Sequence, residues 1–142
     1  MITATLKSTL RLAFLLAIVA VSACATTPGA RDTDKIIPER AQARWDALLA
    51  GDIETAYTYL SPGYRSTMSV VDYGIALSTR RVKWKSAKYL GHQCEEQRCA
   101  VRVEVGYSVA QPMPGVNSYD STNIRDETWI KTDGQWWHLP KK

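Results

Sequence analysis

The chain is poor in phenylalanine and histidine: one Phe, Phe14, and two His, His92 and His138, in 142 residues. Neither histidine stands at a metal-ligand spacing from a cysteine, an aspartate or the other histidine, so no metal site is expected. A phosphate loop, a dinucleotide fingerprint and a Ser-His-Asp order are all missing, which leaves no cofactor and no catalytic motif to name. Charge of one sign is not in excess. The formal charge is +4, and Lys7 and Arg11 carry half of it. The rest holds 16 basic and 14 acidic side chains, a near-balance that weighs against nucleic-acid binding, which needs a strongly basic surface. No apolar run reaches the roughly 20 residues of a membrane-spanning helix. Cysteine is limited to Cys24, Cys94 and Cys99.

What is present begins with an export pattern. Residues 1–11 carry Lys7 and Arg11 and no acid, residues 12–21 are wholly apolar, and small residues follow. That order predicts a signal peptide over 1–23. Its tail, Val21-Ser22-Ala23-Cys24, resembles the bacterial lipobox, in which the cysteine is lipidated and becomes the first mature residue. The stretch Ala23-Cys24-Ala25 also fits an ordinary small-residue cleavage site. Cysteine arithmetic favours the lipobox. In an oxidising compartment Cys94 and Cys99 can pair, and the leftover thiol at Cys24 then needs a reason. A diacylglyceryl thioether with further acylation supplies one, because two or more acyl chains anchor stably where one is marginal. By resemblance to sorting in Gram-negative bacteria, Ala25 in place of an aspartate implies the outer membrane, with the protein facing the periplasm and bound to membrane lipid through its anchor.

Residues 24–37 hold Thr26, Thr27, Pro28, Gly29, Asp32 and Asp34 and read as the lipidated N-terminus and a flexible tether. One domain, 38–142, is expected to follow. Pro38 suits a first helical position, and Ala41, Trp45, Leu48 and Leu49 then form an amphipathic stripe. Gly51 ends that helix and Asp52 caps a second, with Ile53, Ala56, Tyr57 and Leu60 on one face. Ser61-Pro62-Gly63 stops it. Ser69 and Asp72 begin a third helix, Val70 to about Arg80.

The period then changes to two. Residues 82–94 and 99–109 read as strands, with Cys99, Val101, Val103, Val105, Tyr107 and Val109 on one face. Pairing Cys94 with Cys99 sets Leu90 opposite Val103 and Trp84 opposite Val109. It also sets Lys88 opposite Val105 on the apolar face, a conflict that a bulge near Gly91 relieves. Residues 110–123 read as a long polar loop. Residues 124–132 and 135–140 form a hairpin around Asp133-Gly134, with Thr128 opposite Leu139, Trp129 opposite His138 and Ile130 opposite Trp137. The expected class is α+β: three helices packed on a curved four-stranded antiparallel sheet.

In element order and length this plan resembles the NTF2-like (SnoaL-like) superfamily and its cystatin-like cone. The helix-turn-helix start, Leu60-Ser61-Pro62-Gly63-Tyr64-Arg65 and the late Trp-rich strands are similar to small bacterial NTF2-like lipoproteins. The resemblance covers residues 38–140. Residues 62–69 leave little room for the hairpin that the family places before its third helix. The resemblance implies a pocket between sheet and helices, and its members include enzymes, ligand binders and interaction modules, so fold alone does not decide function.

The candidate ligand or partner face is Glu127, Trp129, Lys131, Trp136 and His138 on the last hairpin, where aromatic walls meet a few polar groups. Packing of those tryptophans in the core accounts for the same pattern. The leading expectation is a non-enzymatic lipoprotein binding an envelope protein or a small apolar ligand; a structural envelope component is another. An isomerase- or hydratase-like enzyme, the alternative that the resemblance brings, would need a cavity carboxylate from Asp72, Glu104 or Glu127 with Tyr57, Tyr73 or Tyr89. The register above makes Glu104 and Tyr89 the best pair. Finally, Arg80, Arg81, Lys83, Lys85 and Lys88 cluster on an expected edge, where charge deters strand pairing or meets anionic head groups.

Overall fold

The computed structural model describes residues 28–141. The expected signal peptide, Cys24 and Ala25 lie outside the described residues. The element order is α1 (Pro28–Ala50), α2 (Ile53–Thr58), α3 (Pro62–Arg65), α4 (Val70–Ser78), β1 (Val82–Glu95), β2 (Arg98–Met113), β3 (Val116–Thr132) and β4 (Gln135–Leu139). The four strands form one antiparallel sheet in the order β1-β2-β3-β4. The α+β class and the sheet are as expected.

Three boundaries differ from the sequence reading. First, residues 28–37, expected as tether, are helical, and Pro38 lies inside α1. Thr33, Ile37, Ala41, Trp45 and Leu48 are all buried. Burial of that five-residue stripe outweighs the hydrogen bond that Pro38 cannot donate. Second, Pro62–Arg65 is a short helix of its own, not only a stop. Ser61 Oγ accepts from Tyr64 N at 3.3 Å, with Pro62 at a first-turn position. This turn takes the place of the hairpin before the next helix. Third, residues 110–123 are not a loop. β2 and β3 continue as a ribbon to Met113↔Val116, turning at Pro114-Gly115, where Gly115 has φ 83°. Proline followed by a positive-φ glycine closes such a turn tightly.

The β1/β2 register starts from Cys94↔Cys99 as expected, and the two cysteines are disulfide-bonded. It then shifts twice, between Tyr89 and Gly91 and between Trp84 and Ser86. Each bulge inserts one residue and turns the following side chains to the other face. Tyr89, not Leu90, therefore faces Val103; Trp84 faces Tyr107, and Val82 faces Val109. The bulge at Gly91 moves Lys88 off the apolar face, to pair with Glu104. The last hairpin keeps its expected register throughout, from Thr132↔Gln135 to Thr128↔Leu139. Asp133 and Gly134 both have positive φ, 52° and 77°, as a two-residue hairpin turn requires.

The core lies between α1 and the sheet, joining Ile37, Ala41, Trp45 and Leu48 to Cys99, Val101, Val103, Val105, Trp129 and Trp136. Each sheet edge is covered over part of its length. Gln42 of α1 accepts from Tyr89 N and donates to Ala87 O on β1. On β4, His138 N donates to Tyr59 O, and Ser61 N donates to His138 O. Such covers prevent strand addition by another chain.

Candidate functional site

The helix-covered face of the sheet is set by cross-strand pairs. Val101↔Glu127 and Val103↔Arg125 place Glu127 and Arg125 on the face that carries the buried valines. His138, opposite Trp129, joins them. On α1, Arg44 precedes Trp45 on the buried side of the helix. These elements meet at Glu127, whose side chain is only 7% exposed. Its Oε1 accepts from Arg44 Nη1 and from Trp45 Nε1, each at 2.9 Å. Its Oε2 accepts from Trp129 Nε1 at 3.1 Å. A buried carboxylate persists because a guanidinium and two indoles replace its water.

His138 Nε2 lies 3.9 Å from Glu127 Oε1. Burial lowers the His138 pKa well below the ordinary histidine value, and the nearby Arg44 charge lowers it further. The imidazole is therefore neutral near pH 7, and its approach to Glu127 is not an ion pair there. His138 Nδ1 and Arg44 Nε are buried without a hydrogen-bond partner.

Both residues line a cavity of about 210 Å³, walled also by Trp45, Tyr64, Tyr73, Leu77, Trp84 and Asp126. Burial raises the pKa of Tyr64, as does the neighbouring Tyr73, while Arg80 opposes this; the phenol stays protonated. The cavity is continuous in its lining with a wider groove of about 590 Å³ beyond the helices. Arg80, Trp84 and Arg125 line both. The groove floor is apolar: Val82 of β1 with Val105, Tyr107 and Val109 of β2.

The expected face is thus divided. Glu127 and His138 line the cavity, whereas Trp129 and Trp136 are core residues, 0% and 2% exposed, outside its lining. The pocket tryptophans are instead Trp45 and Trp84, whose rings meet edge-on at 5.1 Å. Lys131 lies over the Trp136 ring at 5.8 Å, away from the cavity lining. Among the other candidate groups, Glu104 is exposed opposite Lys88, not Tyr89. Asp72 is exposed and accepts from Ser69 Oγ at the start of α4. The Tyr57 hydroxyl donates to Met68 O. Tyr89 bonds His92, which in turn reaches Asp34 at 3.2 Å. Only Tyr73 of the three tyrosines lines the cavity.

Sequence reasoning missed Arg44 and Arg125. Arg44 was detectable as a cation beside Trp45 within the apolar stripe of α1, a position that demands a buried anion. Among the described residues no three of His, Cys, Asp and Glu group as metal ligands.

Neither protein-family models nor curated proteins match this sequence. Solved structures show a shared fold at low identity. An NTF2-like family protein from Streptomyces avermitilis, a proposed dehydratase, has a TM-score of 0.53 at 11% identity, covering 76% of this chain and 95% of that one. A SEC-C motif containing protein from Rhodopseudomonas palustris has a TM-score of 0.53 at 13% identity, over 71% of this chain and 73% of that one. Another from Psychrobacter arcticus has a TM-score of 0.52 at 10% identity, over 75% of this chain and 60% of that one. The first of these likenesses supports an NTF2-like fold.

Proposed function

We propose that the chain is a lipoprotein, anchored through Cys24 to the outer membrane and facing the periplasm, whose domain binds a small ligand in the cleft without transforming it. The signal pattern, the lipobox-like Val21-Ser22-Ala23-Cys24 and the pairing of the other two cysteines support the anchor. One observation carries the binding reading. The cavity of about 210 Å³ brings Arg44, Arg125, Asp126 and His138 together beside the aromatic walls of Trp45 and Trp84. Aromatic walls with a few convergent polar groups are the usual lining of a small-molecule site. The inner end of the ligand is therefore polar, not purely apolar.

Native mass spectrometry of the protein taken from cells tests this. The expected result is a bound small molecule, lost in Ala76→Trp, which fills the cavity from an exposed position of α4. Mass spectrometry of the N-terminal peptide should show an acylated Cys24. A bare, unliganded protein in the first assay rejects the binding reading; an unmodified Cys24 in the second rejects the anchor.

A second reading has one observation in its favour. A neutral imidazole beside a fixed carboxylate at a cavity wall suits general-base chemistry of the isomerase or hydratase kind, and one fold neighbour is a proposed dehydratase. Here His138 would take the proton, because both Glu127 oxygens already accept N–H bonds. Turnover of a hydroxy- or keto-substrate abolished by His138→Asn, with ligand binding intact, would establish it over simple binding.

A further inference from the structure

The ligand class can be read from the part of the cleft that the helices leave uncovered. Its floor, formed by Val82, Val105, Tyr107 and Val109, is apolar. Its rim carries Arg80, Arg81 and Arg125. None of these guanidiniums has a carboxylate partner among the described residues. Arg80 lies over the Trp84 ring at 5.6 Å and donates Nε to Ala76 O. Arg80 and Arg125 also line the inner cavity, so two cations stand at the junction between the polar and apolar halves. The stretch Val105–Val109 runs about 14 Å at strand spacing, enough for a medium-length alkyl chain. An apolar trough with unpaired cations at one end complements an anionic head joined to a hydrocarbon tail.

The position of the groove decides between a free molecule and a bilayer. α1 meets β1 near its start through Asp34–His92 and near its end through Trp45–Trp84. From Pro28 to Trp45 the helix axis advances about 25 Å. The groove lies at the Trp84 end, remote from the end at which α1 begins. A domain held by its N-terminal end presents this groove away from the anchoring membrane.

We infer that the cleft takes a free anionic amphiphile, its carboxylate or phosphate between Arg80 and Arg125 and its alkyl tail along Val82, Val105, Tyr107 and Val109. This rests on the cleft being a binding site and adds the class of ligand.

The test is calorimetric titration of the full-length protein with decanoate below its micellar concentration. Hexanoate and decyltrimethylammonium serve as comparison probes, and phosphatidylglycerol vesicles serve as the bilayer probe. Decanoate should bind at least about tenfold more tightly than hexanoate, because the extra methylenes are buried. It should exceed decyltrimethylammonium by a similar factor. Arg125→Glu and Arg80→Glu, both at exposed positions, should each weaken decanoate about tenfold or more while the near-UV circular dichroism is unchanged. Equal binding of the anionic and cationic amphiphiles overturns the inference, as does capture by vesicles without binding of monomeric decanoate. Absence of decanoate binding in a protein that carries a co-purified ligand overturns the ligand class while sustaining the binding reading. Absence of both removes the binding reading as well.

Discussion

The two ends of the sheet are built differently. At the end marked by the Cys94–Cys99 bond and the Asp133-Gly134 turn, all four strands lie side by side, and Lys131 N donates to Gln97 O across the hairpins. Cys99, Val101, Trp129 and Trp136 are closed off there by α1. At the other end β4 is absent and β2 and β3 run on as a ribbon, leaving Val82 at 37% and Tyr119 at 57% exposure. The first end spends its aromatic surface on stability. The second keeps apolar surface open beside unpaired arginines, as a binding surface does. Glu127 stands at the boundary, tying α1 to β3 while facing the cavity.

The largest expected effect comes from removing that tie. Glu127→Ala leaves Arg44 buried without its partner, and loss of one member of a buried ion pair costs about 3–5 kcal/mol. Glu104→Ala, on the exposed face beside Lys88, should change stability by less than about 0.5 kcal/mol. Urea denaturation of the two variants measures the contrast directly. Similar losses in both would mean that burial does not distinguish the two carboxylates.

Next is the disulfide. Reduction, or Cys94→Ser, should cost about 2 kcal/mol by the loop-entropy account for a closure this short. The loss should appear at the closed end as faster amide exchange around residues 95–98, with the ribbon tip unchanged. Exchange that accelerates equally at Met113–Val116 would show the two ends to be one cooperative unit.

A smaller effect is the proton linkage of His138. Its folded-state pKa lies below the unfolded value because of burial first and Arg44 second. The unfolded chain thus binds the proton more readily. This contribution to stability is fully present above the unfolded pKa, near 6.5. It is lost as pH falls below that value, at up to about 1.4 kcal/mol per pH unit, the slope of one proton. His138→Asn should flatten the stability profile between pH 6.5 and more acid conditions. An unchanged profile would assign the acid sensitivity to other groups.

How much of this was legible in the sequence depended on where local signals sufficed. The last hairpin was readable because Asp133-Gly134 fixes both turn and register, and the whole Trp129↔His138 ladder follows from two residues. β1 was readable only in part: the bulge expected near Gly91 is there, but the second extra residue, Lys85, carries no local signature, and each bulge shifts every later pair. The start of α1 was hidden by Pro28, Pro38 and Gly29, although Thr33, Ile37 and Ala41 already continue the stripe. Prolines at 112 and 114 likewise masked the ribbon. At the site, Glu127 and His138 were visible as members of one face, but the partner that holds Glu127 comes from a helix 83 positions earlier. That pairing is a property of tertiary packing, as is the exchange of Trp129 and Trp136 for Trp45 and Trp84 as cavity walls.

The smallest expected effect sharpens the comparison most. Val82 and Tyr119 sit beside Val109 in the sheet, Val82↔Val109↔Tyr119, at the uncovered end. Residues already this exposed in the folded protein lose little burial on truncation, so Val82→Ser and Tyr119→Ser should each change stability by no more than about 0.5–1 kcal/mol. Val101→Ser, fully buried at the closed end, should cost several times as much. Thermal melts compare all three. A loss at Val82 or Tyr119 equal to that at Val101 would mean that the sheet end is covered in solution, by the ribbon or by another copy. The groove would then be part of the core, and both the ligand and its arginine rim would lose their place. A near-neutral result leaves apolar side chains exposed that stability does not require, and binding is then the physical reason for an apolar floor at that end.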